Sequence, residues 1–175
     1  MRAVAKDCWQ KMSDAEIAKT LNSEWHEARL TGVFVLYHHY KKSKKDLSRR
    51  EELVQLYLNN LAGINNWDLV DSSARYILGD WLLDKDRSIL RDFANSGELW
   101  KQRIAMVTTY WFIRQEQFQD TLEIAEMLLF HEHDLIHKAV GWMLREMGNR
   151  NVDLLRQFLE HHAHHMPSTA LRYSI

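Results

Sequence analysis

The stretch ELWKQRIAMVTTYWFI, Glu98 to Ile113, sets Trp100, Ile104, Val107 and Trp111 at offsets of 0, 4, 7 and 11. That spacing follows a helical period and no strand alternation. A helix with one aromatic-rich apolar side cannot bury it alone, so it needs neighbours of the same kind. Such neighbours are found on both sides along the chain. Toward the N-terminus, Asn66–Leu82 carries Val70, Ala74, Ile77 and Trp81, and Ser48–Asn60 carries Leu53, Leu56 and Tyr57. A helix opening at Ser23 runs through Trp25, Ala28, Val33, Leu36 and Tyr37, and Ser13-Asp14-Ala15-Glu16 has the residues of a capping box. Toward the C-terminus come Asp86–Ala94, Gln117–Leu129, His133–Met147, Val152–His161 and a last helix from Ser168.

The expected fold is all-α. The 175 residues contain one proline and six glycines, few breakers for a chain of this length, and 46% of them are hydrophobic. Helices beginning near residues 23, 66, 98 and 133 are rich in aromatic and small residues, with plainer amphipathic helices between them. This alternation reads as stacked helix pairs of the HEAT or armadillo kind, an α-α superhelix, rather than a closed bundle. One domain, 1–175, is expected. Aligning the aromatic-rich helices puts Arg29, Asp71, Arg103 and Lys138 at one station, spaced 42, 32 and 35 residues apart. Charges recurring beside an apolar row suggest a shared solvent-facing groove, and solenoids bind extended partners on such a face.

Composition narrows the function. A net charge of −1 argues against a general nucleic-acid coat protein, although Lys41–Arg50 (KKSKKDLSRR) concentrates positive charge and Glu116–Asp134 is an acidic counterpart. A lone Cys8 excludes an internal disulfide framework and fits a reducing compartment. Neither a signal peptide nor an apolar run near the roughly 18 residues of a membrane span is evident, so a cytoplasmic chain is expected. No glycine-rich phosphate loop occurs. His133 and His137 are four apart, but HEHDLIH lacks the Glu that directly follows the first His in a zinc-protease helix. The run His161-His162-Ala163-His164-His165 suits the negative end of a helix. No metal is expected.

The segment Asn65-Asn66-Trp67-Asp68-Leu69-Val70-Asp71 is the most unusual in the chain. An Asn caps the helix, and Trp67 and Asp71, four apart, project from one face. Lys138, Trp142 and Arg145 share a face in the same way on a later helix. If the helices stack, two indoles flank one carboxylate, with Arg103 between them in the series. A carboxylate in a partly dry aromatic groove stabilises developing positive charge and orients a water. Cleavage of a glycosidic bond passes through an oxocarbenium-like state that calls for such a group. Arg103, Lys138 and Arg145 suit phosphates. Taken singly, each residue has a plainer use: a Trp in the core, Asp71 paired with Arg75, Arg103 on an ordinary surface.

Three segments together carry a resemblance: Asn65–Ser72, Leu99–Ala105 and Lys138–Glu146. With them the chain resembles the AlkD-type DNA alkylation repair family of HEAT-like glycosylases, along nearly its whole length. The resemblance implies a monofunctional glycosylase of base excision repair, without cofactor, acting on duplex DNA that contains cationic N-alkylated purines such as 3-methyladenine and 7-methylguanine. It implies that Trp67, Asp71 and Trp142 contact the lesion deoxyribose, that Asp71 favours the oxocarbenium ion and positions water, and that Arg103 holds the backbone. It further implies cleavage without flipping the base into a pocket, and a chain short at both ends relative to the family. A monomer with no membrane partner is expected. The competing readings are a non-catalytic DNA binder using the same groove, and a protein-binding HEAT scaffold.

Overall fold

A computed structural model describes residues 1–175, and its regular elements are helices. Eleven α-helices are present: α1 (Arg2–Cys8), α2 (Asp14–Leu21), α3 (His26–Lys42), α4 (Leu47–Asn59), α5 (Trp67–Trp81), α6 (Ser88–Ala94), α7 (Leu99–Arg114), α8 (Gln119–Leu128), α9 (Asp134–Gly148), α10 (Val152–His162) and α11 (Ser168–Ser174). The fold class is the expected one. The chain divides into two compact units, Met1–Trp81 and Leu82–Ile175.

In the first unit α3 is the hub, packing on α1, α2, α4 and α5. The row α1–α3–α5 makes one layer, and α2 and α4 flank it. In the second unit α7, α9 and α11 stand side by side, with α6 and α8 against α7, and α8 and α10 against α9. The helices that the sequence marks as aromatic-rich are those of the rows, α3, α5, α7 and α9. The longest unbroken buried run of the second unit is on α7, where Gln102 through Thr109 are all buried. A helix covered on every side loses its amphipathic stripe, which is why polar Thr108 and Thr109 lie in the core with Ile104 and Val107.

The repeat is written in side-chain pairs of near-constant separation. Arg87 donates to Asp120 at 2.6 Å, 33 residues on, and Arg91 to Glu123 at 2.5 Å, 32 residues on, joining the α6 and α8 segments. The Arg103 guanidinium reaches the Leu135 carbonyl, also 32 residues on. In the first unit His26 meets Asp68 at 2.8 Å, 42 residues apart. That is the separation by which Arg29 aligns with Asp71.

Helix ends follow the capping chemistry, with two corrections. Ser13 and Glu16 form the expected reciprocal box: the Ser13 N–H donates to Glu16 Oε2 at 2.7 Å, and Ser13 Oγ accepts the Glu16 N–H at 3.4 Å. Ser23 does not open α3. Its hydroxyl accepts the Trp25 N–H at 3.2 Å, and the helix starts at His26 with Trp25 as cap. Ser48 does not open α4 either, because Asp46, two residues earlier, accepts the Arg49 N–H at 2.9 Å. The charged side chain is the stronger acceptor for a free helix-end donor.

Candidate functional site

On α5 the Asn66 Oδ1 accepts the Trp67 N–H at 2.7 Å, at the free N–H end of the helix. Trp67 is then the first helical residue and is 53% exposed, an unusual position for an indole. Asp71 lies one turn on and is half-buried. The opposite side of the helix, Leu69, Val70, Ser73, Ala74 and Ile77, is wholly buried, which orients the Trp67–Asp71 face outward. Next to it, Ser73 donates to the Leu69 carbonyl at 2.6 Å and shares a 3.0 Å hydrogen bond with the Tyr57 hydroxyl, fixing the roll of α5 on α4.

The first unit carries a second exposed indole that the helical spacing does not single out. Trp25, placed by that spacing on the apolar side of a helix, is 67% exposed at the head of α3. His26 and Asp68, the residues after the two tryptophans, are hydrogen-bonded, so both indoles occupy matching stations on adjacent helices. The signal was available in the 42-residue offset. Arg29, at the station of Asp71, bends back to donate to the Ser23 and Glu24 carbonyls at 2.8 and 3.1 Å.

In the second unit the row α7–α9–α11 positions the other expected residues. Trp142 is half-buried on α9. Its Nε1–H donates to Glu146 at 3.1 Å, and its ring lies 6.1 Å from that of Tyr110 on α7. Lys138 and Arg145 line an open groove of about 420 Å³ between α9 and α11, completed by Asp134, Thr169, Arg172 and Tyr173. Lys138 pairs with Asp134 at 2.7 Å. That hydrogen bond holds the Asp134 carboxyl below its usual value and raises the Lys138 ammonium. Arg172 adds a third cation to the groove that sequence reasoning did not single out. Helices α9 and α11 come close enough for this because position 141 is glycine: a Cβ there would sit 2.4 Å from the Ala170 carbonyl oxygen.

Arg103 requires a correction. Alignment placed it in a solvent-facing groove, but it is 4% exposed, and its guanidinium donates to the Leu135 carbonyl at the start of α9. It lies under the surface because this stretch of α7 is covered by α6, α8 and α9. Guanidinium groups are buried when their donors meet fixed acceptors, and a backbone carbonyl is one.

Histidines 131, 133 and 137 build the entrance to α9. His133 Nδ1 accepts the Leu135 N–H at 3.1 Å, His131 Nδ1 accepts the His133 N–H at 2.9 Å, and His137 Nε2 bonds the His131 carbonyl. His131 Nε2 meets Gln102 Oε1 at 2.9 Å and donates, since an amide oxygen only accepts. Burial, reinforced by the neighbouring imidazoles, lowers the His131 pKa. The basic run is also partly committed. Arg49 pairs with Asp14 at 2.5 Å, and Arg50 binds Asp80 and stacks over Tyr40 at 4.4 Å.

No helix is long and apolar enough to cross a membrane, and no curated protein matches the chain. Among solved structures it is similar to a predicted DNA alkylation repair enzyme from Enterococcus faecalis, with a TM-score of 0.74 at 15% identity, covering 99% of this chain and 82% of that one. At that identity the likeness speaks for the fold. The sequence itself matches the family described as DNA alkylation repair enzyme across residues 1–175. With full-length coverage and a matching all-α fold, the chain belongs to the DNA alkylation repair enzyme family.

Proposed function

We propose that the protein is a DNA glycosylase that removes cationic N-alkylated purines, of the 3-methyladenine and 7-methylguanine type, from duplex DNA in base excision repair. The observation that carries this reading is Asp71 one turn from exposed Trp67 on the open face of α5, in a member of an alkylation repair family. The lesion already bears a positive charge. When its C1′–N9 bond breaks, the bonding pair moves into the purine and neutralises it, so no strong general acid is required. Positive charge then develops on the deoxyribose, where the Asp71 carboxylate stabilises it. The same carboxylate orients a water whose oxygen bonds to C1′ and whose proton passes to solvent. Trp67 packs its indole on the sugar, which remains in the groove without a flipped base.

The second unit supplies DNA contacts of its own in this reading. Lys138 and Arg145, with Arg172, hold backbone phosphates along the α9–α11 groove, and Trp142 offers a second indole to a deoxyribose. Buried Arg103 acts one step back, by fixing the first turn of α9 through the Leu135 carbonyl. The 175 residues work as one monomeric HEAT-like domain.

The test is release of free base from methylated duplex DNA by the full chain. Free 7-methylguanine well above the spontaneous rate is expected. Release at the spontaneous rate with DNA still bound would favour the non-catalytic binder, and absence of DNA binding would favour the protein scaffold.

A further inference from the structure

A second cavity lies wholly within the first unit, between α1, α3 and α5, and takes no part in the reading above. Its volume is about 350 Å³, at the lower end of the range of roughly 300–1,000 Å³ for small-molecule sites. Three aromatic rings wall it: Phe34, Tyr37 and Tyr76. The two tyrosine rings stand 5.2 Å apart and 44° inclined, so they present one broken aromatic surface. Arg2 and Lys6 of α1 stand at its edge, with the Arg2 guanidinium 5.0 Å over the Phe34 ring. His38 and the Ser72 hydroxyl complete the lining, and no carboxylate is part of it. Lys41 adds a cation 6.0 Å over the Tyr37 ring. Burial and the surrounding cations push the His38 imidazole below its ordinary value.

A pocket with aromatic walls, a cationic edge and a hydroxyl takes a ligand that is flat at one end and anionic at the other. We infer that this cavity is a nucleotide subsite that takes a 5′-phosphorylated nucleoside unit of an unpaired DNA strand, its base against Tyr37 and Tyr76 and its phosphate on Arg2 and Lys6. Stacking on rings and a cationic track for the backbone are how proteins hold single strands without reading sequence. The volume is of the order of one nucleotide. Ser72 directly follows Asp71 on α5, but neither Asp71 nor Trp67 lines this cavity, so it is a separate place on the same helix. The subsite does not depend on the glycosylase reading: it would stand if Asp71 performed no chemistry.

Calorimetric titration of the full chain tests it, with deoxyadenosine 5′-monophosphate, deoxyadenosine, inorganic phosphate and a 5′-phosphorylated adenine tetranucleotide as probes. The monophosphate should bind saturably, and the nucleoside and phosphate at least about tenfold more weakly, since base stacking and phosphate contact each contribute. Arg2 and Lys6 are both exposed, so an Arg2→Ala/Lys6→Ala double variant should keep its melting temperature while losing about tenfold in affinity for the monophosphate. Tighter binding of the tetranucleotide, with the same dependence on Arg2 and Lys6, is expected of a strand unit. No saturable binding of the monophosphate, or binding indifferent to the double variant, would overturn the subsite. A monophosphate that outcompetes the tetranucleotide would overturn its assignment to a strand.

Discussion

His26 and Asp68 hydrogen-bond at 2.8 Å across the heads of α3 and α5. The contact sets the register that brings Trp25 and Trp67 to equivalent exposed positions, and with them Arg29 and Asp71. Asp68 also accepts the Leu69 N–H at 2.9 Å, so one carboxylate serves a free donor in the first turn of α5, as a cap would, and ties that helix to α3. Asp68→Ala should therefore lower stability by about 1–2 kcal/mol, the worth of a cap plus a charge-assisted bond. Chemical denaturation measures this. Asp68→Asn, which keeps an acceptor, should recover most of it.

Arg87 fastens the second unit through a ring, a carboxylate and a carbonyl at once. Its guanidinium lies 3.9 Å over the Phe112 ring, bonds Asp120 at 2.6 Å, and donates to the Leu82 carbonyl at 3.1 Å. Both members of the ion pair are largely buried. Arg87→Ala should cost about 3 kcal/mol, because it leaves the Asp120 carboxylate without its cation. Replacing Asp120 by Asn in the same protein should cost little more, and a double-mutant cycle in denaturant reads that coupling.

The fold was legible because nearly every helix exposes its period, and even the repeat could be read from the spacing of aromatic-rich segments. Short α1 is not legible, because seven residues carry too little period to register. At α3 the start is shifted because the Ser23 hydroxyl is spent on the Trp25 N–H before the helix begins, and at α4 because Asp46, hidden inside a basic run, takes the cap. At the candidate site, Trp67 and Asp71 were legible from their spacing on one helix. Arg103 was not, because its burial follows from α7 being covered by α6, α8 and α9, a property of packing and not of its own segment. Arg172, Thr169 and Tyr173 join the groove through the α9–α11 contact, which no local pattern reports.

That contact rests on Gly141. Alanine raises intrinsic helix propensity by up to about 1 kcal/mol. Here its Cβ would meet the Ala170 carbonyl oxygen and Tyr173 Cβ, both at 2.4 Å, one of them backbone that cannot swing aside. Overpacking should win, so Gly141→Ala is expected to destabilise by about 1–3 kcal/mol. If Lys138, Arg145 and Arg172 hold phosphates together, the variant should also weaken DNA binding at a temperature where it remains folded. Filter binding on undamaged duplex would check this.

The entrance to α9 should respond to acid. His131 accepts the His133 N–H on Nδ1 and donates from Nε2, so its neutral form fits the site. Its folded pKa lies below the unfolded value, chiefly through burial. The unfolded chain then binds the proton first as pH falls. Stability is fully present above the ordinary histidine value of about 6.5 and declines as pH drops through and below it. His38, shifted the same way, adds to the decline. Denaturation midpoints from pH 8 to 5 should fall in wild type, and His131→Gln should flatten part of that slope.

The most direct measurement is the single-turnover rate of 7-methylguanine release from methylated duplex DNA by Asp71→Asn beside wild type, with DNA affinity measured on the same preparations. The substitution keeps shape and hydrogen bonding while removing the charge that is to stabilise the deoxyribose cation. The rate should fall at least about a hundredfold with affinity changed little, as expected for an interaction made only in the transition state. Release by Asp71→Asn at the wild-type rate, from protein that binds DNA equally well, would contradict the catalytic role of Asp71.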